Sequence, residues 1–355
     1  METKQSDFSN LQLYVGIDVH KKQWSVSVYS ASAHHRTFSQ PPTPQALKSY
    51  LDHTFPGAKV VCAYEACKFG YWIYRELISY GYQCLVVNPA DIPTSNKENS
   101  DKTDPSDSRK IGKALRAGLL TSIHVPDQHT EGDRQIFRYR KRLMADLTRV
   151  KNRIKDKFLF TGTLIPEEFD NSNWSKAFLL WLKQVEMPDA HTRLTVDMLL
   201  EQYHFLYRHF LKTSVEVRKL QREGRYKRVA KLLRTIPGIG PLTTVELLTE
   251  IEDINRFASF KKFNSFIGFK PRSHSSGEHD WKGRMTYRQH KGLRSSLIEC
   301  AWTTISKDPI MMQRYEELKT RLTGKRAIVI IARKLVSRIY YVMKNEKPYE
   351  VGLVK

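Results

Sequence analysis

Short apolar runs and helical spacings follow one another between residues 11 and 125. Runs rich in β-branched and aromatic residues predict strands at 13–19, 24–29, 59–63 and 83–87. Apolar positions at helical spacing predict helices at 44–53, 71–80 and 106–117, the first with Thr43 as its N-cap and Pro44 in its first position. Strands that alternate with helices indicate an α/β sheet with parallel pairs. We therefore expect an N-terminal α/β domain that opens with a β-hairpin.

From about residue 130 the apolar positions change to a spacing of three and four residues. One run contains Ile136, Leu143, Leu147, Val150 and Ile154, and a second contains Leu199, Tyr203, Leu206 and Phe210. Turn residues within 162–173 separate the two runs. The pattern predicts a helical hairpin or a coiled coil, whose apolar seams offer a pairing surface for a dimer.

The last part of the chain carries a glycine-rich turn between apolar segments. Gly238 and Gly240 in the turn at 236–240 resemble a helix-hairpin-helix module, in which backbone N–H groups meet a DNA phosphate. A plain corner between two helices stays open as the alternative. The patterns together predict an α/β domain at 1–128, a helical or coiled-coil region at 129–230 and a mostly α-helical domain at 231–355.

Charge narrows the choice of partner. The 355 residues suffice for two or three domains, and 59 Lys and Arg against 37 Asp and Glu leave a net charge of +22. Such an excess implies a polyanionic partner, because Lys and Arg gain affinity by releasing counterions from phosphates. For the basic helices, a groove contact and a merely solvated face both stay open.

Cysteine content and hydropathy indicate the compartment. Cys62, Cys67, Cys84 and Cys300 include no CxxC pair, as expected for reduced thiols of a cytoplasmic protein. No apolar run approaches the roughly 20 residues that span a bilayer, and no signal peptide is recognisable. We expect a cytoplasmic protein without membrane contact, associated with the nucleoid when active.

Four carboxylates stand out against the basic background. Asp18 lies on the first predicted strand, Glu65 follows the third, and Asp104 and Asp107 stand near the start of a predicted helix. Mg²⁺ prefers several oxygen ligands, and two such ions can clamp the attacking and leaving oxygens of a phosphate. The acids therefore predict a Mg²⁺ site, with two ions, for a nucleic-acid phosphodiester. Asp104 is also a candidate helix N-cap, with Pro105 in the first helical position.

A serine before a glycine lies among cations further along the chain. Ser276 is surrounded in sequence by Arg272, Lys282 and Arg284. A serine in such a place suits a nucleophile for a phosphate, with the guanidinium groups stabilising the charge that develops. Serine and glycine are equally common in plain turns. The neighbouring Ser275 makes the choice of nucleophile depend on register.

Taken together, the motifs resemble those of the insertion-sequence family 110 transposases, which include the Piv-type DNA invertases. The matching segments are Gly16-Ile17-Asp18-Val19-His20-Lys21, Tyr64-Glu65-Ala66, Lys102-Thr103-Asp104 with Asp107, and the block from Ile236 to Gly277. They cover nearly the whole chain in the same order. One departure precedes Leu293-Arg294, where Gln289-His290 stands in place of the expected Gly-Asn pair.

The resemblance implies a RuvC-like domain of the RNase H fold, with the four acids as its DEDD metal ligands. It also implies a transposase domain with a nucleophilic serine, which maps best to Ser276. Contacts with nucleic acid are expected from Gly238, Gly240, Arg272, Lys282, Arg284 and Arg294. Better-understood members of the family use a structured noncoding "bridge" RNA that pairs with donor and target DNA.

We therefore expect a site-specific DNA recombinase that cuts and rejoins strands through a serine-linked intermediate, guided by an element-encoded RNA. A homo-oligomer, dimer or tetramer, is expected because strand exchange needs more than one active site. One alternative is a Holliday-junction resolvase that uses water as its nucleophile. Another is a basic nucleic-acid-binding protein without enzyme activity.

Overall fold

The computed structural model describes residues 8–94, 103–171, 173–276, 279–285 and 290–352, with the backbone alone for the strands within 271–285. The chain forms two compact units, Met1–Val125 and Pro126–Lys355. The predicted helical region and the predicted C-terminal domain both fall in the second unit. No helix within the described ranges is long and apolar enough to cross a membrane.

The first unit is built on a mixed sheet of five strands. They are β1 (Gln12–Val19), β2 (Trp24–Tyr29), β3 (His34–Gln40), β4 (Lys59–Glu65) and β5 (Gln83–Val87), in the spatial order β3-β2-β1-β4-β5. The strand β2 is antiparallel to β1 and β3, whereas β4 is parallel to β1 and β5. The predicted hairpin and parallel pairs are therefore confirmed. The edge strand β3 was not predicted, because its residues are mostly polar and exposed.

Helices cover both faces of this sheet. They are α1 (Pro44–Thr54), α2 (Trp72–Ser79) and α3 (Asp104–Arg116). Side chains alternate between the two faces of a strand, so Leu13 of β1 packs with residues of α1 and α2, whereas Tyr14 packs with α3. Thr43 caps α1 as predicted, accepting a hydrogen bond from the Ala46 backbone N–H at 3.3 Å.

The helix α3 approaches β1 very closely. A Cβ atom placed on Gly16 would lie 2.3 Å from both Gly112 N and Ser108 O, so only glycine permits this separation. The Ser108 hydroxyl lies 3.0 Å from that of Ser25 and 2.9 Å from that of Ser27. These buried hydroxyl groups satisfy one another and tie α3 to β2. The first turn of α3 is thereby held against the central strands.

The second unit begins with a helical hairpin. Its two long helices are α4 (Gln128–Thr161) and α6 (Ala190–Leu220), and the short helix α5 (Lys176–Gln184) lies between them in sequence. Leu147 and Ile154 of α4 pack with Leu200 of α6 in one buried cluster, which confirms the predicted hairpin. The seams pair with each other inside one chain. The expectation that they offer a pairing surface for a dimer is therefore wrong for these buried residues, because spacing identifies an apolar face without identifying its partner.

The rest of the second unit is helical apart from one two-stranded sheet. Its elements are α7 (Lys227–Leu233), α8 (Pro241–Ile251), α9 (Phe260–Ile267), β6 (Pro271–Ser276), β7 (His279–Met285), α10 (Lys291–Ile305), α11 (Pro309–Lys319) and α12 (Gly324–Asn345). The apolar face of α12, including Ile331 and Leu335, lies within the largest buried cluster. The glycine-rich turn joins α7 to α8, as the sequence predicts.

Candidate functional site

The first unit carries a concavity of about 810 Å³ at one edge of its sheet. Its lining includes all four predicted acids, Asp18, Glu65, Asp104 and Asp107. Asp18 stands near the end of β1 and Glu65 ends β4, and these parallel neighbours finish at the same sheet edge. The carboxyl ends of parallel strands are where α/β sheets commonly bind ligands. The fold thus collects four carboxylates from three separate parts of the sequence.

The two acids of α3 belong to its first turn. The interpretation of Asp104 as an N-cap is wrong, because Thr103 occupies that position with extended dihedral angles of −137° and 148°. Pro105 accordingly follows the first helical residue. A carboxylate in the first turn is favoured by the helix dipole, and its oxygens are not used up by a cap.

A histidine that the sequence analysis did not assign joins the acids. Single ligand atoms of Asp18, His20 and Asp104 all lie within 4.8 Å of one another. His20 Nδ1 is 3.3 Å from Asp18 Oδ2. The Asp-x-His spacing could have revealed this residue, since alternate residues of an extended segment share one side.

Electrostatics in the concavity favour a bound cation. Burial raises the pKa of Asp18 to about 6, with His20 opposing and the charges of the other three acids adding to the rise. The buried Oδ2 atom of Asp18 accepts no well-aligned hydrogen bond from any described residue. Lys110 Nζ lies 2.7 Å from Asp107 Oδ1. Crowded carboxylates with an unsatisfied buried oxygen fit a hard divalent ion such as Mg²⁺.

The predicted nucleophile lies in the second unit, at the end of β6. The backbone of Ser276 pairs with that of His279 in the antiparallel β6–β7 sheet. For the predicted site residues of this sheet, the side chains lie outside the described part of the structure. These residues are Arg272, Ser275, Ser276, Lys282 and Arg284. The choice between the two serines and the roles of the three cations therefore stay predictions.

The chain after this sheet is anchored by His290, the residue found where an Asn was expected. The Leu293 backbone N–H donates to His290 Nδ1 at 3.1 Å, so the imidazole caps α10. Because Nδ1 accepts, Nε2 carries the hydrogen that it donates to Glu250, 3.0 Å away. Burial raises the pKa of Glu250, but hydrogen bonds from His290 and Arg138 outweigh it and hold the pKa at about 2.

The other three residues predicted to contact nucleic acid lie in the turn between α7 and α8, at the start of α8 and within α10. Gly238 has φ of 89°, and a Cβ atom there would lie 2.6 Å from Cys300 O, so the turn is packed tightly against α10. Gly240 is the N-cap of α8, with open space around its Cβ position. Arg294 is partly buried on α10, and burial lowers its pKa. Their contacts with nucleic acid stay predictions.

A carboxylate-lined concavity at a sheet edge, in a chain of net charge +22, resembles the metal-binding sites of phosphoryl-transfer enzymes. The family model of the DEDD type of IS110, described as "Transposase", matches residues 15–161. The model of the transposase IS116/IS110/IS902 family matches residues 230–316. The chain belongs to the IS110-type family of transposases, as the motifs indicated, and is an enzyme of that class.

Individual relatives agree with the family assignment. The putative transposase y4qE of Sinorhizobium fredii is 25% identical over 82% of this chain and 72% of its own length. The transposase for insertion sequence element IS1533 of Leptospira borgpetersenii is 23% identical, with 97% and 99% covered. The pilin gene-inverting protein of Moraxella bovis is 33% identical over 34% of this chain and 38% of its own. The similarity thus extends to proteins named for transposition and for gene inversion.

Proposed function

We propose that this transposase is a site-specific DNA recombinase whose strand cleavage depends on Mg²⁺ held by Asp18, Glu65, Asp104 and Asp107. The observation that carries the proposal is the convergence of these acids on one concavity. The strand order β3-β2-β1-β4-β5, with Asp18 on the central strand, supports an RNase H-like fold of the RuvC type for the first unit. The names of the relatives support action on DNA.

The residues of the concavity have separate tasks in this proposal. The four acids would hold two Mg²⁺ ions, and these ions would supply stabilisation of charge on the phosphate and activation of the attacking oxygen. His20 fixes the orientation of the Asp18 carboxylate through their close contact. Lys110 balances Asp107 and supplies a cation in the lining of the concavity for a phosphate oxygen.

Ser276 is the proposed nucleophile. Its hydroxyl loses a proton as the Oγ–P bond forms, and the P–O bond to one deoxyribose breaks, so that the released deoxyribose oxygen takes up a proton and becomes a hydroxyl. The covalent intermediate keeps the free energy of the phosphodiester, so a new hydroxyl can displace the serine and reseal the strand. The position of Ser276 within the matched residues 230–316 supports this assignment.

The choice of DNA sequence is proposed to come from a structured RNA. The sequence contains no zinc-finger spacing or RNP motif that would read bases, while its charge of +22 suits phosphate backbones. Base pairing by a bound RNA can supply the missing specificity, as it does in other guided effectors. Sequencing the nucleic acid that survives a high-salt wash tests this proposal, and full recombination after RNase treatment would contradict it.

The active form is proposed to be a homo-oligomer. Since the α4 and α6 seams are buried within the chain, subunits would pair through other surfaces. Mixing Asp18→Asn protein with Ser276→Ala protein should restore activity if acids and serine of different subunits form one site. The absence of rescue in a mixture of folded proteins would indicate a site within one chain.

Strand cleavage by acid variants tests the proposed function. Asp18→Asn should lower Mg²⁺-dependent cleavage by on the order of 10²–10³-fold, equal to a few kcal/mol of transition-state stabilisation. Asp52→Asn is the matched control, because Asp52 is an exposed acid on α1 that pairs with a helical neighbour, Lys48, and with Tyr82, and it does not line the concavity. Normal cleavage by folded Asp18→Asn protein would overturn the metal assignment.

Trapping of the intermediate separates a recombinase from a resolvase. A DNA–peptide adduct should form with the natural protein, map to Ser276 by mass spectrometry and vanish in Ser276→Ala. Ser275→Ala should retain the adduct. An adduct on Ser275 would move the assignment by one residue, whereas cleavage without any adduct would indicate water as the nucleophile.

A further inference from the structure

A second concavity, of about 400 Å³, lies in the second unit between the end of α6 and one face of α7. Lys227, Lys231 and Arg234 stand at helical spacing along that face, and Arg222 joins them from beyond the end of α6. All four side chains are exposed. The lining includes no carboxylate, so four cations face one shallow space.

Neighbouring cations on the same segment are neutralised. Arg225 lies 3.0 Å from a carboxylate oxygen of Asp127 and 2.7 Å from one of Asp133, and Arg228 is paired with Glu346. By contrast, none of the four cations of the concavity forms an ion pair with an acid in the described part of the chain. Acids from other elements therefore neutralise Arg225 and Arg228, whereas the cations that line the concavity keep their positive charge.

A buried amide adds an independent indication of a ligand. Gln221 lines the same concavity, is only 4% exposed, and its Nε2 finds no acceptor among the described residues. An unsatisfied buried donor destabilises the folded protein. Because Nε2 itself is not accessible to solvent, the side chain must rotate towards the four cations before the amide can donate to an oxygen-bearing anion.

We propose that this concavity binds the backbone phosphates of double-stranded DNA. Its lining contains no aromatic side chain. Single strands and RNA loops are usually held by stacking on aromatic rings, whereas a duplex backbone needs only cations and hydrogen-bond donors. Thr235, also in the lining, directly precedes the turn at 236–240, so the site would extend the contact that the turn suggests. The inference rests on the proposed function only in taking DNA as the substrate.

A charge-matched pair of double variants tests the site. Lys231→Gln/Arg234→Gln removes two cations of the concavity, and Lys307→Gln/Arg321→Gln removes one exposed Lys and one exposed Arg elsewhere in the unit. Full-length protein is titrated with a 30-base-pair DNA duplex of arbitrary sequence at several salt concentrations, with EDTA present. Each lost phosphate contact should lower the slope of log K against log salt by about 0.9, so the first variant should lose about 1.8. Its affinity near 0.1 M salt should fall on the order of 10–100-fold.

A substitution of Gln221 separates ligand binding from folding. Gln221→Met keeps the side-chain volume and removes the unsatisfied amide, so the protein should be as stable as the natural one or more stable. Its affinity for duplex DNA should nevertheless fall severalfold. Equal affinity would show that the amide does not donate to the ligand and would count against the site.

Three outcomes overturn the proposal. Equal losses in the two double variants would show that the cations are only a solvated face. An equal or larger loss for an RNA hairpin of the same length would exclude the assignment to DNA. Unchanged affinity of Lys231→Gln/Arg234→Gln would exclude the site itself. Because no metal or strand cleavage enters the measurement, failure here is distinguishable from failure of the proposed recombinase activity.

Discussion

The close contact between α3 and β1 makes Gly16→Ala a sharp test of how the acidic site is held. The added Cβ atom would lie 2.3 Å from Gly112 N and Ser108 O, whereas ordinary contacts begin near 3.4 Å. Both opposing atoms belong to the backbone, so no side-chain rotation relieves the clash. The helix must move by about 1 Å to restore normal packing.

The expected cost has two parts. Overpacking typically costs about 1–3 kcal/mol, and the movement also separates the Ser108 hydroxyl from Ser25 and Ser27, at about 1 kcal/mol for each hydrogen bond. We expect a loss of roughly 3–5 kcal/mol in the free energy of unfolding. In molecules that remain folded, Asp104 and Asp107 shift relative to Asp18, and a misplacement of about 1 Å can lower activity roughly 10²-fold.

Chemical denaturation followed by circular dichroism measures the stability, and cleavage of labelled DNA measures the activity. Gly132→Ala is the control, since Gly132 lies inside α4 with nothing within 4 Å of its Cβ position. Alanine there should stabilise the helix by up to about 1 kcal/mol. If Gly16→Ala unfolds within 1 kcal/mol of the natural protein and cleaves DNA normally, the reasoning about this contact is refuted.

Three further predictions concern the second unit. Because the pKa of Glu250 is lowered from 4.5 to about 2, its ionised form contributes roughly 3 kcal/mol to the free energy of unfolding above pH 4.5, and this contribution is lost as the pH falls through 2. In Glu250→Gln the free energy of unfolding should therefore change less with pH across that window. His290→Ala should lower the free energy of unfolding, measured thermally or chemically, by about 1–3 kcal/mol, and His290→Asn should recover the part that comes from capping. No recovery in His290→Asn would show that the imidazole does not cap α10. Leu200→Ala should cost about 2–5 kcal/mol without changing the subunit number seen by light scattering, whereas dissociation of an oligomer would place this seam between chains.

The sequence predicted those elements whose apolar pattern is decided locally. The strand β1 is a mostly apolar run, β2 alternates apolar residues with serines, and α4 keeps its spacing over many turns, so each was recognised. The strand β3 was missed because it lies at the sheet edge and buries little. Edge strands carry a weak pattern, since their pairing is decided by a neighbour that is distant in sequence.

The acids of the site were recognised as residues, but their surroundings depend on tertiary contacts. His20 gave only a short spacing signal, whereas the pair of Asp107 and Lys110 follows from the local spacing of three residues on one helix. The need for glycine at position 16 follows from the approach of a helix almost a hundred residues away along the chain. The capping role of His290 was hidden because histidine is an uncommon N-cap.

Titration calorimetry with Mg²⁺ measures whether the four acids form one metal site. We expect saturable binding to the full-length natural protein, at least tenfold weaker binding to Asp18→Asn, and natural affinity in the Asp52→Asn control. Far-UV circular dichroism of each variant confirms that the fold is retained. Equal Mg²⁺ affinity in the natural and Asp18→Asn proteins would contradict the assignment of the four acids as one metal site.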